Sequence, residues 1–183
     1  MTALYVIIAI VVIFAIWALA TYNSLIRKRN DCQEGFSTMD VYLKKRADLI
    51  PNLVETVKGY AKHEADTLLA VVSARNAASS SKNIAEQVKQ ENMLTDAVSK
   101  LFALSENYPD LKANANFVDL QDKLSQTEND IANARKYYNA VVKQYNNACQ
   151  TIPSSIIAGV GGFAPAAMFE AAASDRENVK VQF

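Results

Sequence analysis

His63 is the one histidine in the chain, and it stands beside Glu64. A His-based metal site or a Ser-His or Cys-His nucleophile pair therefore has little to draw on. On a helix beside a carboxylate, such a histidine reads as a solvated or capping residue. Cys32 and Cys149 lack any C-x-x-C or metal spacing and read as buried, inert thiols suited to a reducing compartment. Gly159-Val-Gly-Gly162 lacks the Lys-Ser/Thr of a phosphate loop and reads as a tightly packed or flexible turn. Glu64, Glu106, Asp110, Glu128 and Asp130 supply carboxylates, yet nothing in their spacing holds two of them at a catalytic separation. No catalytic residue, metal or cofactor is expected.

The more informative charges lie on or beside apolar stripes. Arg46 falls on one stripe, while Glu128 and Arg135, seven residues apart and hence on one helix face, sit one step off another. Arg46, Glu64, Glu128 and Arg135 are read as a polar network within a helical bundle, setting helix register or joining subunits; a ligand pocket is the competing reading. Asn129, Asn133, Asn139, Asn146 and Asn147, poor helix formers on an exposed face, are candidates for hydrogen bonds to neighbouring chains.

Those charges need elements to position them. The chain opens on eighteen consecutive apolar residues, Ala3 to Ala20, and no charged side chain precedes Arg27. At about 1.5 Å of rise per residue the run reaches roughly 27 Å, near the thickness of a hydrocarbon core. Ala3, Leu4, Tyr5, Ile8, Val12, Ile16, Trp17 and Ala20 mark this anchor, with Tyr5, Trp17 and Tyr22 suited to its two interfaces. Ala18-Leu19-Ala20 resembles a signal-peptide cleavage site, but the cations follow the apolar run instead of preceding it. Arg27, Lys28 and Arg29 are read as topology charges that hold the body in the cytoplasm, with anionic-lipid binding as a lesser role.

All 19 basic and all 19 acidic residues fall within positions 27–183, a water-soluble body long enough for one hydrophobic core. Zero net charge argues against a nucleic-acid binder. Glycine and proline are scarce beyond the anchor, and apolar residues recur at helical spacing. One seam runs Cys32, Phe36, Met39, Leu43, Arg46, Ile50, Leu53, Val57 and Tyr60, holding phase through Pro51, which either kinks one helix or divides two. Asn76–Asn83 reads as a loop, and Ile84, Val88, Leu94, Val98 and Leu101 mark the next helix. After a turn at Tyr108-Pro109-Asp110, a long seam runs Phe117, Leu120, Leu124, Thr127, Ile131, Ala134, Tyr138, Val141, Tyr145 and Ala148. Leu43, Ile50, Leu53, Val57, Leu120, Leu124, Ile131, Tyr138, Val141 and Tyr145 are the expected bundle core.

The 26 residues between Lys143 and Glu170 carry no charge. This stretch is expected to pack back on the bundle, with a short helix beginning at Pro165; an interfacial membrane contact is the alternative. Val179, Val181 and Phe183 alternate with polar residues in a strand-like ending that could dock on an edge or be captured by its carboxylate. The predicted fold class is all-α: an N-terminal transmembrane helix, then an elongated antiparallel bundle of long helices and a short apolar C-terminal tail. The expected division is an anchor at 1–26, a bundle at 27–150 and a tail at 151–183.

Several runs are similar to the LemA family of bacterial membrane proteins. They include Asp40-Val-x-Leu43-Lys-x-Arg46-x-Asp48-Leu-Ile-Pro-Asn-Leu53, Val57-Lys-Gly-Tyr-Ala61, Glu106-x-Tyr108-Pro-Asp-Leu-Lys-Ala-Asn114 and Thr127-Glu-Asn129. The resemblance extends over nearly the whole chain. It implies a bacterial single-pass inner-membrane protein with a long helical bundle and no settled enzymatic activity. It also implies partnership with a membrane protease or other membrane protein. From the seams, the asparagines and the apolar tail, the expected function is a non-enzymatic scaffold that self-associates at the membrane. An adaptor or regulatory partner is the alternative; lipid and further copies of the chain are the expected contacts.

Overall fold

A computed structural model describes residues 1–81 and 83–169. The described residues form helices and no strand: α1 (Thr2–Lys58), α2 (Ala65–Ser79), α3 (Ile84–Ser105), α4 (Pro109–Lys112), α5 (Ala115–Gln150) and α6 (Ser154–Val160). The apolar segment and the first seam are one uninterrupted helix. Pro51 lies inside α1 without ending it. Its missing N–H leaves the Ala47 carbonyl without the usual helical donor, and Arg75 Nε on α2 fills that vacancy at 3.2 Å. Local side chains fix the other boundaries. Asn83 Oδ1 accepts from the Glu86 N–H at 2.9 Å to cap α3, and Asn114 Oδ1 accepts from the Phe117 N–H at 3.1 Å to cap α5. Pro109 opens α4, and Gly161 followed by Gly162 at φ +69° closes α6.

The chain divides into two compact units. Residues 1–37 and 136–168 form the first. In it the apolar end of α1 stands free, with Leu4, Tyr5, Ile8, Val12 and Ile16 all at least half exposed, whereas Leu25 is buried. By length and composition this stretch can cross a membrane. Below it, a Cβ on Gly35 would lie 3.4 Å from the Tyr138 Cα, so α1 and α5 approach closely there. Phe36 meets the Tyr138 ring edge-on at 5.9 Å.

The second unit holds residues 38–135 and Phe169. Its core gathers Ile50, Leu53 and Val57 from α1, Leu68 and Val71 from α2, Leu94, Val98 and Leu101 from α3, Leu111 from α4, and Phe117, Leu120 and Leu124 from α5. Within this unit α1 and α5 run antiparallel. Tyr60, just past the end of α1, meets Asn114, whereas Arg46 meets Glu128 farther along α5.

Five expectations are corrected. The long seam turns at its end, because Val142, not Val141, is fully buried and Cys149 replaces Ala148. A helix repeating at 3.6 residues drifts from a strict 3.5-residue pattern, and the extra step falls after Tyr138. At the end of α1, Tyr60 is exposed and Ala61 takes the buried place, because the chain leaves the helix at Lys58. The expected Asn76–Asn83 loop is shorter, since α2 runs through Ser79 with Ala74 and Ala78 buried. The Tyr108–Asp110 turn continues into α4. Finally, the short tail helix is α6, upstream of Pro165, where the glycines terminate it. The strand-like ending at Val179, Val181 and Phe183 lies outside the described residues.

Candidate functional site

Arg46 is wholly buried in the second unit, an expensive place for a guanidinium unless carboxylates surround it. The heptad phase that buries Leu43 and Ile50 buries Arg46 with them. Its Nη1 donates to Glu128 Oε1 at 2.5 Å and to Thr95 Oγ1 at 2.8 Å. Its Nη2 donates to Glu91 Oε2 and, at 3.4 Å, to the Glu91 carbonyl. Thr95 Oγ1 in turn donates to the same carbonyl at 3.1 Å. Three helices are thereby joined through one side chain.

Arg135 completes the charge balance, two cations against two carboxylates. Its Nε and Nη2, with Arg46 Nε, are buried and have no hydrogen-bond partner among the described residues. The Arg135 guanidinium lies over the Phe169 ring, 4.6 Å from its centroid, and that π face takes the place of a hydrogen-bond acceptor. Burial lowers the Arg135 pKa, and Arg46 lowers it further. Burial raises the Glu91 carboxyl, only partly opposed by Arg46. Chemically, the cluster is a neutral, interlocked set of charges whose partners are one another. Glu128 is a partly open member, with its side chain 34% exposed beside a groove of about 540 Å³ between α3 and α5.

A second arrangement occupies the first unit. Residues 163–168 lie along α5 as an extended strap held by side chains reading its backbone. Tyr145 and Tyr138 hydroxyls donate to the Ala164 and Ala167 carbonyls at 3.0 and 2.8 Å. Between them, Asn146 donates to the Ala166 carbonyl at 2.9 Å and accepts from its N–H at 2.8 Å. Burial, helped by Cys149, pushes the Tyr145 hydroxyl up to about 12, so it remains a donor. Phe163 is buried at the head of the strap, 5.3 Å from the Tyr22 ring and under the Arg29 guanidinium at 5.4 Å.

The LemA family model matches residues 35–183, which include α2 to α5 and all four residues of the charge cluster. The chain belongs to the LemA family. It is 23% identical over 158 residues to Protein LemA of Metamycoplasma hominis, covering 86% of this chain and 72% of that protein. It is also 25% identical over 186 residues to magnetosome proteins MamQ 1 and MamQ 2 of Paramagnetospirillum magneticum, covering 87% of this chain and 68% of each.

Within this LemA-family chain the expected network residues separate. Arg46 and Glu128 are paired, Arg135 sits within their electrostatic reach, and Glu64 lies elsewhere, accepting from the Tyr108 hydroxyl at 3.0 Å. Glu91 was missed. The signal for it was available, since Glu91 occupies the step before Leu94, Val98 and Leu101 on the α3 stripe. The expected anchor residues lie on the exposed part of α1, with Trp17 partly buried. Arg27 is exposed and Lys28 half-buried, whereas Arg29 is engaged with Phe163. His63 is exposed, and Cys32 and Cys149 are free and buried. Among the expected asparagines, Asn146 serves its own chain's strap.

Proposed function

We propose that this LemA-family protein is a non-enzymatic, membrane-anchored structural protein that crosses the bacterial cell membrane once, keeps its helical body in the cytoplasm and self-associates there. The observation that carries this reading is the continuity of α1. One helix supplies both the exposed apolar segment and, through Arg46, Ile50, Leu53 and Val57, a face of the body's core. Copies anchored in one membrane meet with their apolar helices aligned. The charge cluster agrees with a structural role, because its groups neutralise one another in place of facing a substrate. Exposed Met93 and Val118 supply apolar contacts for association.

Light scattering of the full-length protein in several mild detergents, corrected for bound detergent, tests this reading. A defined multiple of 20.1 kDa is expected. A strict monomer in every detergent would overturn self-association and leave the adaptor reading, in which the same apolar positions receive a membrane protein partner.

A further inference from the structure

The first unit leaves one apolar feature that neither the core nor the strap uses. Ile152, Ile156 and Val160 follow one another at four-residue intervals, on α6 and the turn before it, and are 85%, 59% and 87% exposed. On α6 this spacing puts Ile156 and Val160 on one face, with Ile152 exposed on the turn that precedes it, while Ala158, also on α6, is buried. The 26 residues around them carry no charge that would hold this face in water.

Its position follows from contacts within the unit. The Phe163 N–H donates to the Ala158 carbonyl at 2.9 Å, so Phe163 is locked to the end of α6, and its ring packs on Tyr22, two residues past the apolar run. Gly35 lies opposite Tyr138, and equal rises along antiparallel helices put Gln150, the last residue of α5, roughly opposite Asn23. The turn carrying Ile152 thus emerges where α1 leaves its apolar segment. Partial burial of α1 begins at Trp17 and Ala18 and continues at Thr21 and Ser24, a three-and-four spacing that faces the rest of the unit. The unit therefore reaches the last turn of the apolar run.

We propose that α6 is a second, interfacial membrane contact: Ile152, Ile156 and Val160 enter the headgroup and upper acyl region beside the exit of α1. This rests on the reading that α1 crosses the bilayer. Three side chains are far too few for the roughly 1,000 Å² that a specific protein interface needs, whereas a lipid surface demands no complementary shape. Arg27 and Lys28, on the next turn of α1, supply cations at the level of the lipid phosphates. Two membrane contacts on this one unit would fix its tilt against the bilayer.

Trp17 is the sole tryptophan and reports on the anchor. In a Trp17→Phe background, Ile156→Trp and Val160→Trp report on α6, and Leu69→Trp, on exposed α2, serves as the aqueous control. Each full-length variant, checked for native helicity by circular dichroism, is reconstituted into phosphatidylcholine vesicles whose acyl chains are brominated near the headgroup. Both α6 reporters should lose about half their emission, as expected for side chains about 5–10 Å into the interface, while the Leu69 reporter is unaffected. Quenching of Trp17 with none at either α6 position would overturn the interfacial contact and leave the spanning anchor standing. Absence of quenching at Trp17 as well would overturn both. Blue-shifted α6 emission that resists bromine and grows with protein density would overturn the lipid assignment in favour of a second copy.

Discussion

Arg75 on α2 donates from Nε to the Ala47 carbonyl on α1, the acceptor that Pro51 leaves without its helical partner. A proline costs a helix interior about 3 kcal/mol, in part through that lost bond, and here a side chain from another helix restores it. Arg75→Ala should therefore destabilise the protein by about 1–3 kcal/mol. The same change in a Pro51→Ala background should cost clearly less, because residue 51 then supplies the donor. Equal losses in both backgrounds, measured by denaturant unfolding in detergent, would show that Arg75 acts independently of Pro51.

Arg46 should be far less dispensable than its burial alone suggests. Arg46→Met leaves Glu91 buried without its cation and should cost about 3–5 kcal/mol. Arg46→Met combined with Glu91→Met removes both charges and should recover most of that loss. A double variant as unstable as the single one would mean that the pair contributes more than mutual neutralisation.

The raised Glu91 carboxyl sets the sign of a pH effect. Burial is the leading cause and holds its folded pKa above the ordinary 4.5, so folding favours the protonated form. That contribution is fully present below about pH 4.5 and is lost as pH rises through the folded pKa. Glu91→Gln mimics the protonated state. It should match the parent protein below about pH 4.5 and become relatively more stable as pH rises from there through the folded pKa. Melting temperatures across that interval decide the matter, and a variant that instead loses ground with rising pH would refute it.

The strap on α5 should be released by removing the side chains that read its backbone. Asn146→Ala deletes two hydrogen bonds to Ala166, together worth about 1–3 kcal/mol, and should speed proteolytic cleavage near Gly161–Gly162 several-fold. Tyr145→Phe, which removes a single bond to Ala164, should have a smaller effect. Unchanged cleavage in both variants would place the strap's stability in Phe163 instead.

Cys32 is buried, and that burial, reinforced by Asp31, raises its pKa and keeps the thiol protonated at neutral pH. Its alkylation in the native protein should lag an unfolded control by more than tenfold. Rapid labelling would indicate frequent opening of α1 from α5 in this unit.

By itself the sequence determined the class of the protein and its local commitments. Eighteen uncharged apolar residues define a segment that can cross a membrane, and recurrence in threes and fours makes the remainder helical. Both depend only on neighbours along the chain, which is why Leu43, Ile50, Leu53, Val57, Leu120, Leu124, Ile131, Tyr138 and Tyr145 were legible as core positions, and why Arg46 stood out among them. Tertiary structure decided what meets what. That Glu91 is 45 residues from its partner Arg46, and Glu128 82 residues, follows from helices folding back on one another, not from local spacing. The substitution of Val142 for Val141 reflects accumulated helical drift, which matters only once a neighbouring helix fixes the buried direction. Pro51 offered either a kink or a break, and the helix persists because a distant guanidinium satisfies the carbonyl that the proline cannot.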